Sequence, residues 1–149
     1  MPTFQFRLET LLKLRVAERQ RRMSELAEAL RAEGALRERH QQLALQQAAA
    51  KEQLRLASSP GAVDVDCLLG THRHALVLET QRQLLDRQTQ ELQEEIQRRQ
   101  GALGEADRHV QVLEKLRQRQ WQMHCHEELR QEQFLLDEIA QRPRERGAP

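Results

Sequence analysis

The chain of 149 residues holds four prolines, at positions 2, 60, 143 and 149. Proline inside a helix removes a backbone donor and clashes with the preceding turn, at a cost of roughly 3 kcal/mol. Pro2 and Pro60 therefore bracket an unbroken stretch of 57 residues, and Pro60 and Pro143 a second of 82. The sharpest break is Ser58-Ser59-Pro60-Gly61, a cluster of turn formers. The two stretches are filled with Leu, Ala, Glu, Arg and Gln, the residues of long helices and coiled coils. Six Val and two Ile are too few β-branched apolar residues for a sheet of this size. Hydrophobic residues make up 38% of the chain, which suits a thin helical seam better than a thick core.

Both stretches carry a helical period. In the first, Leu12, Val16, Arg19, Met23, Leu26 and Leu30 recur at alternating steps of four and three, and Leu36, His40, Leu43, Gln47, Ala50 and Leu54 do the same. From Leu30 to Leu36 the step is six, beside Gly34, which predicts a shift of the seam and a local change of winding. In the second, the alternation runs without interruption from Leu78 through Leu85, Leu92, Leu103 and Val110 to Leu113. Near Leu116 it slips toward Gln120, Met123, Glu127 and Phe134. Polar residues enter both seams, at Arg19, His40, Gln47, Arg82, Thr89 and Arg99.

A sustained 3/4 spacing with charged flanks predicts a coiled coil. A helix with so narrow an apolar stripe is not stable alone in water, so the two must pair. The predicted fold is all-α: an antiparallel two-helix coiled-coil hairpin forming one domain over residues 1–149. Its parts are a helix over 4–57, a turn over 58–65, a longer C-terminal helix over 66–141 and a disordered tail over 143–149. Thr3 is a candidate cap for the first helix, and Asp64 or Asp66 for the second. A parallel dimer of bent helices is the alternative arrangement, against which Pro60-Gly61 argues.

A turn centred near residue 61 makes positions that sum to about 122 face each other. The paired part is then about 80 Å long, Phe4 lies opposite residue 118, and the second helix overshoots the first by about 30 Å. Phe4, Phe6 and Trp121 meet at the end bearing both termini, and Phe134 lies beyond on unpaired helix. These four are all the aromatic residues of the chain. Such a cluster has two readings: it staples the open end of the hairpin, or it is a binding hot spot.

Several chemistries find no support. His72 and His74, like His124 and His126, are two residues apart, so each pair diverges by about 200° around a helix and does not chelate from one face. Cys125 between His124 and His126 is no better placed for nucleophilic catalysis, and a two-helix rod offers no water-excluding pocket. No glycine-rich phosphate loop is present. No cofactor, metal or enzymatic activity is expected. With 24 Lys and Arg against 23 Asp and Glu, the chain has no net electrostatic pull toward nucleic acid. Neither an export signal nor a membrane-spanning run is legible, so Cys67 and Cys125 are expected to be reduced thiols in the cytosol.

Two terminal motifs converge on one family. Phe4-Gln-Phe-Arg-Leu-Glu-Thr-Leu-Leu-Lys-Leu-Arg15, followed by Glu18, resembles the opening of the flagellar export protein FliJ family. Glu132-Gln-Phe-Leu-Leu-Asp-Glu-Ile-Ala-Gln-Arg142 is similar to that family's closing helix. The chain length and the placement of the central turn agree. The resemblance implies a cytoplasmic component of the flagellar type III export apparatus, in the shape of a rotary ATPase stalk, acting in flagellum biogenesis and motility. It implies that the end bearing the termini inserts into the hexameric export ATPase ring and promotes its assembly. It also implies that the rod bridges that ring to the cytoplasmic domain of the export gate protein and assists export chaperones. Association with the inner membrane at the flagellar base would be peripheral, through the export apparatus alone. By position, the resemblance gives Phe4, Phe6, Leu8, Leu11, Arg15, Glu132, Leu136, Asp137 and Arg142 to the ATPase-binding end. Trp121 and Phe134 join them from the aromatic placement. A gate-binding face falls near Leu43, Ala50, His72 and Leu76, where this chain lacks the aromatics of some relatives. An equivalent stalk of a virulence-type injectisome, or a generic homodimeric coiled-coil scaffold, are the alternatives.

Overall fold

The computed structural model describes residues 4–61 and 63–141. Two helices account for nearly all of them: α1, Glu9–Ala57, and α2, Val65–Gln141. They pack against each other antiparallel, and the C-terminal helix is the longer. The tail 143–149, Arg142 and Thr3 lie outside the described residues.

By its internal contacts the chain divides into two compact units. In the first, residues 4–19 pack on 105–141. The Nη1 of Arg19 donates to Asp107 at 3.2 Å, Arg117 stands 3.7 Å from Glu9, and the rings of Phe4 and His124 meet edge-on at 5.6 Å. Phe6, Leu12, Val110 and Leu113 form its core, with Phe4 and Leu116 against it. In the second unit, residues 20–104, the Arg99 guanidinium donates to the Glu25 carbonyl and Gln47 donates to Glu79 at 3.4 Å. Leu43, Ala50 and Leu78 form a core cluster there. The helix-to-helix pairs sum to about 126 rather than 122, a shift of about two residues per helix.

The helix ends follow from local chemistry. Asp64 caps α2: its Oδ1 accepts from the backbone N–H of Asp66 at 3.1 Å and of Cys67 at 3.3 Å, satisfying two donors of the first turn. At the end of α1, before Pro60, the Leu54 carbonyl accepts twice from Ser58, from its backbone N–H at 3.0 Å and from its hydroxyl at 2.8 Å. The start of α1 departs from expectation. The helix begins at Glu9, not at residue 4, and its first turn is set by a Glu9 N–H to Phe6 carbonyl bond of 3.1 Å. Phe6 is pulled out of helical register and buried under Leu12, Val110 and Leu113. Burying a phenylalanine is worth about 2–3 kcal/mol, more than the few tenths per residue that another turn of helix offers.

The seam of α1 also differs. Buried or half-buried positions recur at 12, 15, 19, 22, 26, 29, 33, 36, 40, 43, 47, 50 and 54, an unbroken 3/4 stride. Val16, Met23 and Leu30 are exposed, and Arg15, Arg22 and Ala29 take the places expected of them. There is no shift at Gly34. Leu36, Leu43 and Ala50 fix the register in one half of the helix, and a regular helix carries it back in sevens to Ala29, Arg22 and Arg15. The arginines fit because their stems pack while their heads pair outward, Arg15 with Glu18 at 2.9 Å and Arg22 with Glu25 at 3.1 Å. In α2 the stripe from Leu78 to Val110 and Leu113 faces inward as the spacing predicts, although Arg82 within it is exposed. The slip after Leu113 is real, but it leads through Leu116, Gln120, His124 and Glu128, leaving Met123, Glu127 and Phe134 in solvent.

The polar layer at His40 is hydrogen-bonded across the seam. The Thr89 hydroxyl spends its one proton on the Leu85 carbonyl at 2.9 Å, so its oxygen accepts from His40 Nε2 at 3.0 Å. That arrangement places the imidazole proton on Nε2.

Candidate functional site

The expected aromatic meeting at the terminal end holds in part. Phe4, Gln5, Phe6 and Glu9 line one side of an open groove, and Glu114, Arg117, Gln118 and Trp121 the other. Phe6 forms its floor, buried in the core; Trp121 is 53% exposed on its wall. Phe4, which precedes the helix, sets its ring edge-on against His124. Arg117 and Glu9 span the groove between the helices. These two, with His124, are site residues that the sequence reading missed; the facing-pair arithmetic with the correct sum of 126 identifies Glu9 with Arg117.

The other expected residues of this end separate into two groups. Leu8 and Leu11 are exposed at the start of α1, and Arg15 is half-buried with its guanidinium on Glu18. Glu132, Phe134, Leu136 and Asp137 stand on the last stretch of α2, where every residue from Leu129 to Gln141 is exposed. Phe134 is 71% exposed and does not join the aromatic groove. Leu129, Leu135, Leu136 and Ile139 are exposed beside it, an apolar surface that no segment of α1 covers. Five carboxylates and one arginine lie between 126 and 141, so this apolar surface is set in an acidic helix.

The residues expected at the gate face are divided by burial. Leu43 and Ala50 pack against Leu78 inside the helix–helix seam and present no surface. The resemblance assigns them by position along the chain, whereas their 3/4 spacing already belongs to the seam, and the seam is where the packing puts them. His72 and Leu76 are exposed on α2.

Among the described residues, no group of three His, Cys, Asp or Glu side chains stands close enough to hold a metal ion. His124 is engaged otherwise, with its ring on Phe4 and its Nδ1 3.6 Å from Glu128. No described helix is long and apolar enough to cross a membrane.

The ionisable groups that depart from their ordinary values sit in arginine–carboxylate pairs. The hydrogen bond from Arg99 holds the Glu95 carboxyl below the usual glutamate value, and the hydrogen bond from Arg82 does the same to Glu79. In return each carboxylate raises its arginine. These shifts stabilise the charges already present at neutral pH; none poises a group for proton transfer.

The sequence pattern of the flagellar FliJ protein family matches residues 4–147. The chain belongs to the FliJ family. This agrees with the resemblance of its two terminal motifs and makes the chain a component of flagellar type III protein export. The FliJ family is a non-catalytic part of that apparatus. No curated protein and no solved structure matches the chain.

Proposed function

We propose that this FliJ-family chain serves as the stalk-like element of the export apparatus, entering the hexameric export ATPase ring by the end that bears both termini. The observation that carries this reading is the uncovered apolar surface of that end. Leu8 just before α1, Leu11 on it, and Trp121, Phe134 and Leu136 on α2 are large apolar side chains left in water. Large apolar side chains left in water at one end in this number mark an interaction site. Glu132 and Asp137 supply a charged rim, and Phe6 supports the groove from below.

The same reading gives the chain a second contact, with the cytoplasmic domain of the export gate protein, through the exposed His72 and Leu76. Leu43 and Ala50 support that stretch from inside the seam. Assistance to export chaperones, and peripheral placement at the inner membrane through the apparatus, complete the role. The test is co-purification with the export ATPase, using the full chain and a chain lacking residues 1–15 and 130–149. Loss of ATPase binding, with helical content kept in the remaining segment, supports terminal docking. Undiminished binding by the shortened chain overturns it.

A further inference from the structure

The aromatic groove and the bare helix beyond it lie on one side of α2, in a single stripe. Glu114, Gln118 and Trp121 line the groove. The stripe continues through Cys125 to Leu129, Glu132, Leu136 and Ile139, and the steps along its whole length are four or three. The half before Cys125 is walled by Phe4 and Trp121 and rimmed by Arg117. The half after it is an apolar ridge with no cover. A groove and a ridge that adjoin on one helix face are complementary to each other, yet cannot meet within one chain without breaking α2. Two copies related by a two-fold axis at Cys125 bring each ridge into the other copy's groove.

Charge selects that arrangement. The ridge segment, 126–141, carries five carboxylates against one arginine. The paired part of the same unit, 4–19 with 105–125, carries eight Lys and Arg against five Asp and Glu. Parallel pairing would lay acidic segment on acidic segment. Antiparallel pairing about Cys125 instead sets residues 127–138 along 112–123 of the second copy, where Lys115, Arg117 and Arg119 outnumber Glu114. It also sets Trp121 against Leu129 of the second copy, twice.

We propose that this unit is a self-association surface, on which two copies of the chain pair antiparallel about Cys125, each seating its terminal helix in the other's aromatic groove. The pairing occupies part of the end assigned to ATPase docking, and it is tested with no other protein present, so that its failure leaves the docking reading standing. Sedimentation of the full chain at low salt, over the micromolar range, is expected to move from one mass of 17.5 kDa toward twice that value. Leu136→Glu, on the ridge, returns the single-chain mass at the same concentrations. Phe134→Glu, two residues away and so on the opposite side of the helix, leaves the dimer intact. Both side chains are exposed, so both variants keep the fold, which far-ultraviolet dichroism checks. A Cys67→Ser chain with a short bismaleimide is expected to couple through Cys125 alone. A single-chain mass at every concentration overturns the proposal. So does a dimer that survives Leu136→Glu, or one in which Cys125 does not cross-link.

Discussion

At the scale of the residue, this protein is held by a few specific contacts laid over a thin apolar seam. Asp64 decides where α2 starts, because its carboxylate meets two backbone donors that nothing else satisfies. Asp64→Ala is therefore expected to cost about 1 kcal/mol, read as a lower midpoint of thermal unfolding. Val110 is fully buried under Phe6 and Leu12, and removing two of its methyl groups in Val110→Ala is expected to cost about 2 kcal/mol. Thr89 shows how a polar residue enters such a seam: its hydroxyl accepts from His40 and donates to the Leu85 carbonyl. Among the described residues, no buried side-chain nitrogen or oxygen lacks a partner.

At the scale of the element, the register of α1 is the sharpest finding. Leucine content favours the face carrying Val16, Met23 and Leu30; the helix uses the face one residue earlier. Ala29 is 4% exposed and Leu30 is 45% exposed. A pair of substitutions reads this register directly. Leu30→Ala is expected to cost less than about 1 kcal/mol, whereas Ala29→Leu overpacks the seam and is expected to cost about 1–3 kcal/mol. Denaturant unfolding of the two variants checks the order, and a larger cost for Leu30→Ala would reverse the assignment. Gly34, where the apolar spacing suggested a break, lies inside an unbroken helix with open space around its would-be Cβ. Gly34→Ala is expected to raise stability by up to about 1 kcal/mol, since alanine loses less backbone entropy and meets nothing.

For the whole molecule, the thinness of the core makes charge pairs a larger share of stability than in a globular domain, and ties stability to pH. Glu95 and Glu79 titrate below their ordinary value because Arg99 and Arg82 hydrogen-bond to the charged form. A carboxylate lowered by folding contributes stability that is present above the unfolded value of about 4.5 and is lost as pH falls through the lower folded value. Unfolding midpoints should therefore hold steady from neutral pH down to about 5 and decline below about 4.5. Glu95→Gln should flatten part of that decline. The Arg82–Glu79 pair is exposed and the Arg99–Glu95 pair half-buried, so added salt reaches both and should shrink the same slope. Each of the two units has its own core, and the one holding the termini carries all four aromatic residues of the chain.

The sequence by itself determined that the chain is two long helices with a break at Ser58-Ser59-Pro60-Gly61, because proline placement and helix-forming composition act locally. It determined the inward face of α2, where the apolar alternation is continuous from Leu78 to Leu113. It also carried the family, through motifs at the two ends. Only the tertiary structure decided which of two overlapping faces α1 buries. Arg15 and Val16, or Ala29 and Leu30, differ by one step, and the partner helix chooses between them through Leu36, Leu43 and Ala50. Only the tertiary structure showed that Phe6 leaves the helix to join the core and that Phe4 reaches His124. These are outcomes of packing between residues far apart in the chain, and a periodic pattern read along one strand of sequence has no term for them.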